Sequence, residues 1–212
     1  MNLLRFVFQA PCPLCARSTP TAFCADCQRR IEFDRLADPA QSWHESPSVF
    51  AWGNYSDTLK RTISRLKYDR HSKLATPLGE WLAQAWLQQS ISHDRALSVI
   101  PIPLHPDKQQ QRGYNQAELI ARAFCRITGY PIAAQGLKRI RPTEALFNLS
   151  PQQREQTLTQ AFQLGTVHSK TQILLIDDIY TTGATVRAAI EVLNRSGYSV
   201  VGVAVVAKAK RH

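Results

Sequence analysis

A chain of 212 residues, 44% of them apolar, has material for one full α/β core and a small module beside it, and it excludes an assembly of several large domains. No apolar run is long enough to span a bilayer, and the opening MNLLRFVFQAPC turns polar too soon for a secretory leader, so a cytoplasmic protein with no membrane insertion is expected. The net charge of +10, from 26 Lys and Arg against 16 Asp and Glu, favours polyanions such as nucleic acid or ligands with several phosphates, although the same charge also serves simply to solvate a surface.

In chain order, the first feature is a cysteine pattern. Cys12, Cys15, Cys24 and Cys27 form C-x2-C-x8-C-x2-C. Thiols two residues apart reach one tetrahedral ion, and four thiolates match a closed structural Zn2+ site. A disulfide pair, disfavoured in a reducing compartment, and an iron–sulfur cluster are the alternatives. A module over residues 1–35 has little core, so metal is expected to supply much of its folding energy, about 10–16 kcal/mol in small zinc modules. Arg17, Arg29, Arg30 and Phe33 nearby would suit contact with a nucleic-acid backbone.

Residues 36–95 open with ADPAQSWHESPS, a polar, proline-bearing boundary. VFAWGNYS reads as a strand. Leu59, Ile63 and Leu66 then recur at helical spacing, with Ser56 or Asp57 as the cap. Leu74, Leu78, Trp81, Leu82, Ala85 and Trp86 mark a second helix over 73–89. This segment is expected to be a linker followed by a helical hood.

Residues 96–212 alternate strands and helices. ALSVIPIPL is a short strand stopped by prolines, and HPDKQQQRGYNQ reads as the loop after it. A helix over 115–128 turns Ala117, Ile120, Ala121 and Phe124 inward, with Asn115 and Glu118 placed for a capping box. Cys125 falls inside it as an inert core residue. QILLIDD has the unbroken apolar run of a parallel strand buried on both faces. ATVRAAIEVLNRSG is an amphipathic helix stopping at Gly197, and YSVVGVAVVAKA is the last strand. Such a βαβ unit takes its ligands at the carboxyl ends of its strands.

The buried strand ends in Asp177 and Asp178, and IYTTGAT leads straight into a helix. Free amides at a helix start, a glycine that permits a tight turn and the hydroxyls of Thr181, Thr182 and Thr185 form a concave anion site. Carboxylates repel phosphate but accept hydrogen bonds from a sugar diol or hold a divalent metal. A ribose with a 5′-phosphate satisfies both halves. A plain helix cap beside one buried aspartate is the structural alternative. Neither the GxxxxGK[ST] nor the GxGxxG nucleotide motif occurs.

ILLIDDIYTTGAT resembles the phosphoribosyl-pyrophosphate (PRPP) loop of type I phosphoribosyltransferases. With CPLC, CADC, the LKY at 66–68 and VIPIPLHPDKQQQRGYNQAELIARA at 99–123, nearly the whole chain resembles the ComF competence protein family. The resemblance implies a type I phosphoribosyltransferase fold over 96–212, an α/β parallel-sheet core with helices on both faces, joined to the cysteine module and hood. It implies Asp177 and Asp178 on the ribose hydroxyls with Mg2+ alongside, and Thr181, Thr182, Gly183, Ala184 and Thr185 around the 5′-phosphate. Arg112, then Lys108, would face pyrophosphate, where positive charge also assists an oxocarbenium-like transition state; Asp177, Asp178 and Arg112 are thus the catalytic candidates. Lys67 and Tyr68 carry the family's KY pair, though a lysine at a helix end also complements the dipole. The family segment T-x-x-Q-x-x-L-S-x-x-x-R-x-x-N appears here with Thr143, Leu149, Ser150 and Arg154 matching, but with Leu146 and Thr157 in place of the two amides.

Three functions follow as expectations: a competence factor that binds PRPP or a related ligand and assists single-stranded DNA handling in natural transformation, with other competence proteins as possible partners; an active nucleobase phosphoribosyltransferase of salvage; or a non-catalytic, ligand-responsive scaffold. No segment reads as a nucleobase pocket.

Overall fold

The computed structural model describes residues 9–89, 91, 97–141, 161–167 and 172–210. The departures from the family segment at Leu146 and Thr157 lie outside these residues.

The centre is a four-stranded, wholly parallel sheet. Its strands are β3 (Val49–Asn54), β4 (Leu97–Pro101), β7 (Gln172–Tyr180) and β8 (Val200–Lys208), in the spatial order β3-β8-β7-β4. Alternation along each strand divides the core in two. Phe50, Trp52, Val99, Leu174, Ile176, Ala204 and Val206 face one layer, while Val49, Ala51, Ile100, Ile173, Leu175, Val203 and Val205 face the other.

The first layer holds α2 (Asp57–Tyr68), α3 (Ala75–Leu87) and α5 (Gln116–Thr128). The second holds α6 (Ala184–Arg195) and a hairpin of β5 (Leu137–Arg139) with β6 (Phe162–Leu164). Helices therefore cover both faces, as the resemblance implies. Helices α3 and α5 approach closely because Gly79 has no side chain: a Cβ there would lie 2.4 Å from the Ile120 carbonyl oxygen and 2.6 Å from the Ala123 Cβ. No helix among the described residues is long and apolar enough to cross a membrane.

The segment expected to be linker and hood also supplies β3, which pairs with β8 from Val49↔Val203 to Asn54↔Lys208. Helix α2 starts differently from expectation. Ser56 sits at its N-cap without capping through its side chain. Asp34 does that instead, accepting from the Leu59 amide at 2.8 Å and from the Ser56 hydroxyl at 2.7 Å. A cap from more than twenty residues upstream has no local sequence signature.

The stretch HPDKQQQRG, read as loop, contains the short helix α4 (Pro106–Arg112). Pro106 stands in its first turn, Asp107 and Arg112 suit its two dipole ends, and Gly113 at φ 86° closes it. At α5 the expected capping box is half formed. The Asn115 side-chain oxygen accepts from the Ala117 amide at 3.1 Å, and its Nδ2 donates to the Ile102 carbonyl, but Glu118 pairs forward with Arg122 at 2.7 Å.

The N-terminal module pairs β1 (Ala10–Pro11) with β2 (Ser18–Thr19), followed by α1 (Ala25–Glu32). It shares the first core layer: Phe23 stacks on Trp81 at 5.8 Å, and Trp81 on Trp52 of β3 at 5.4 Å.

Candidate functional site

Two clusters carry chemistry. In the first, one CPLC turn and the start of α1 bring together Cys12, Cys15, Cys24 and Cys27, whose sulfurs all lie within 4.8 Å of one another. Cys24 is the residue before the helix and Cys27 lies in its first turn. The turn after Cys15 closes through the Ala16 amide on the Cys12 carbonyl at 2.8 Å, with Ala16 at φ 63°. A tetrahedral ion with Zn–S near 2.3 Å requires sulfurs about 3.8 Å apart, and the Cys15–Cys24 separation is 3.5 Å. The donor set fits a metal ion.

The thiols are unlike one another. The Arg17 amide draws Cys15 down to about 7. Burial opposes ionisation of Cys12, but amides of Cys24, Leu14 and Cys15 outweigh it and leave it below the usual thiol range. Burial, and then the neighbouring cysteines, push Cys27 far up. Four thiolates this close need a cation among them.

The second cluster lies at the carboxyl ends of the strands, where a parallel sheet holds its ligands. Asp177 and Asp178 are near the end of β7; Asp178 is 3% exposed and Asp177 half-buried. Lys67, in the last turn of α2, places its Nζ 2.7 Å from Asp178 Oδ2. The Asp177 side chain accepts from the Asp178 amide at 2.8 Å. Burial, then the adjacent Asp178 charge, hold the Asp177 carboxyl well above the usual carboxylate range. Burial works against the Lys67 charge, yet Asp178 more than compensates and raises it above the ordinary lysine value.

Beyond Asp177 the chain makes a turn lined by Tyr180, Thr181, Thr182, Gly183, Ala184 and Thr185 around a depression of about 50 Å³. That room suits one small group such as a phosphate rather than a whole nucleotide. Thr181 and Thr182 are exposed, and Gly183 begins α6 at φ 77°. The α6 N-terminus has no side-chain cap of its own, beyond a long 3.4 Å approach of the Thr182 hydroxyl to the Ala184 amide, which leaves its amides for an anion.

Gly183 permits this turn. A Cβ there would fall 2.2 Å from the Tyr180 Oη, in a conformation that side chains rarely adopt. Gly183→Ala is expected to cost about 1–3 kcal/mol and to distort the turn, read as a lower melting temperature together with weaker binding of phosphate-bearing ligands.

Lys67, Tyr68, Lys108 and Arg112, which are distant in sequence, line one cleft of about 280 Å³. Arg70 and Gln111 complete it, and sequence reading missed both. The only signal for Arg70 is its neighbourhood to the KY pair. Its backbone at φ 57° is visible only in three dimensions. Arg112 lies over the Tyr68 ring at 5.8 Å and donates to Gln116 Oε1. Tyr114 holds the cleft's helices together, its hydroxyl donating to the Leu66 carbonyl. The acidic pair, the phosphate-sized turn and the cationic cleft are thus contiguous through the Lys67–Asp178 contact.

The sequence profile described as "Phosphoribosyl transferase domain" matches residues 135–212. Among curated relatives, "DNA utilization protein YhgH" of Salmonella typhi is 27% identical over 201 residues, covering 91% of this chain and 87% of that protein. "Competence protein ComFC" of Bacillus subtilis is 27% identical over 190 residues, covering 88% of this chain and 72% of that protein. "Competence protein F" of Haemophilus influenzae is 30% identical over 185 residues, covering 82% of this chain and 80% of that protein. Likeness at that level over most of both chains, together with a phosphoribosyltransferase-type sheet and a four-cysteine cluster, means that the chain belongs to the ComF competence protein family.

Proposed function

We propose that the chain binds PRPP or a related phosphoribosyl ligand at the end of β7 and assists the handling of single-stranded DNA in natural transformation. The observation that carries the ligand half is the juxtaposition of a carboxylate pair with an amide-bearing, phosphate-sized turn six residues on. Asp177 and Asp178 accept hydrogen bonds from the ribose 2′- and 3′-hydroxyls. Thr181, Thr182, Gly183, Ala184 and Thr185 surround the 5′-phosphate. Lys67, Lys108 and Arg112 lie toward the pyrophosphate, where their charge opposes the repulsion of its oxygens. A Mg2+ ion bound with PRPP would neutralise pyrophosphate charge, and Asp177, the more open carboxylate, would hold it.

The DNA half rests on the +10 charge and on relatives named for competence and DNA utilization. The four cysteines hold a structural Zn2+ in this reading. The cations beside the acidic pair also favour a second reading, transfer of the phosphoribosyl group to a nucleobase.

Isothermal titration tests the ligand. PRPP should bind wild type with Mg2+ present and lose at least tenfold in affinity in the Asp177→Ala/Asp178→Ala protein, each charge-assisted hydrogen bond contributing about 1.5–3 kcal/mol. Equal affinity in the two proteins would remove the phosphoribosyl reading. Mg2+-dependent release of pyrophosphate with any base would select the second reading.

A further inference from the structure

Charge and shape in the cationic cleft exceed what a pyrophosphate needs. Lys67, Arg70, Lys108 and Arg112 line it with Gln111, and Lys67 also pairs with Asp178 at its edge. Its remaining wall is Tyr68, a residue 73% exposed at the end of α2 with the Arg112 guanidinium over the ring. A large aromatic left this open gains nothing from the core. Pyrophosphate would use the cations and leave the ring without a role, whereas a base–phosphate–base segment uses both: successive bases stack on aromatic and guanidinium faces while cations follow the backbone.

Arg70 stands on the same wall. It is the first residue beyond the cap of α2 and takes the left-handed conformation, φ 57°, in which many helices end.

We infer that this cleft is the track for single-stranded nucleic acid, with one base on Tyr68 and the neighbouring phosphates on Arg70, Lys108 and Arg112. The inference rests on the reading that the protein handles single strands, and it adds a consequence for regulation. The cleft joins the phosphoribosyl site through Lys67 and Asp178, so a strand in the cleft and a pyrophosphate-bearing ligand in the site compete for the same cations. Free PRPP therefore weakens strand binding, and the strand weakens PRPP binding by the same factor.

Fluorescence anisotropy of a fluorescein-labelled oligothymidylate on the full chain tests this at low salt. Tyr68→Ala should weaken binding roughly tenfold while Tyr68→Phe keeps it, because stacking and not the hydroxyl is used. Arg70→Ala should lower the slope of log affinity against log salt by about one. Pyrophosphate and PRPP at millimolar concentration should displace the oligonucleotide from wild type. Unchanged affinity in Tyr68→Ala, or an oligonucleotide that pyrophosphate fails to displace, overturns the inference while leaving single-strand handling elsewhere on the surface intact. A wild-type protein that binds no oligonucleotide at any salt removes the inference and the DNA half of the proposed function together.

Discussion

Cys27→Ser is expected to abolish metal retention and unfold the N-terminal module. Cys27 is buried at the start of α1, and its sulfur lies within 4.8 Å of the other three. Serine offers no thiolate, and the remaining three ligands leave the ion an open position. Among the described residues of the module, Leu14, Phe23 and Ile31 are the buried large side chains besides the cysteines. A metal held by the four thiolates should therefore supply much of what keeps β1, β2 and α1 together, and the expected loss is on the order of 10 kcal/mol.

Damage should also spread inward. Phe23 continues the stack through Trp81 to Trp52 on the sheet's edge strand, so a freed module exposes that aromatic row. Metal analysis should give one equivalent of zinc for wild type and for Cys125→Ser, and almost none for Cys27→Ser. Strong chelation of wild type should reproduce the mutant's lowered melting temperature. A Cys27→Ser protein that retains one equivalent and melts like wild type would eliminate the four-thiolate site.

The second large effect is expected at Lys67. Asp178 is buried with a side chain 4% exposed, and Lys67, at 20%, is its ion-pair partner at 2.7 Å. Lys67→Met keeps the stem and removes the charge, leaving the buried Asp178 carboxylate without its ion-pair partner beside Asp177. Breaking one side of a buried pair costs about 3–5 kcal/mol, whereas replacing both sides is often nearly neutral. Urea unfolding should therefore show a large loss for Lys67→Met and substantial recovery in Lys67→Met/Asp178→Asn. Additive losses in the double variant would mean that the contact has no coupling energy.

The pH dependence has a defined sign. The folded state already holds the Asp177 carboxyl above its unfolded value through burial and Asp178. Its contribution to stability is fully present below the unfolded value near 3.8 and is lost as pH rises through the raised folded one. Lys67 is a cation that opposes that rise. Without it the folded value climbs further, so the deficit of Lys67→Met should shrink as pH is lowered toward that of an ordinary carboxylate. A deficit that grows on acidification would reverse the assignment.

The site was legible in the sequence to unequal depth. The cysteine spacing, and the run from Ile173 to Thr185, carry their chemistry locally. A strand end, a glycine and a helix start are neighbours in the chain, so their geometry follows from residues a few positions apart. Helix α4 was missed although Pro106, Asp107 and Gly113 signal it, because the polar run DKQQQR has no apolar stripe to mark a period. Arg70, Gln111 and the capping role of Asp34 left no comparable mark. Each depends on a partner or neighbour far along the chain.

Hydrophobic period and motif spacing by themselves pointed to strand–helix alternation, to a parallel strand buried on both faces, to the four-cysteine set and to a glycine-bearing turn at a helix start, because period and short-range backbone chemistry are written along consecutive residues. Tertiary structure alone decided that β3 closes the sheet's edge beside β8, that Lys67 reaches Asp178 across more than a hundred residues, and that four separate cations meet around Tyr68. Those are outcomes of packing, where burial of Leu59, Ile63 and Leu66 against the sheet orients α2 and carries its last turn to the ends of the strands. Neither Lys67 nor Tyr68 specifies that destination; the apolar face of the helix does.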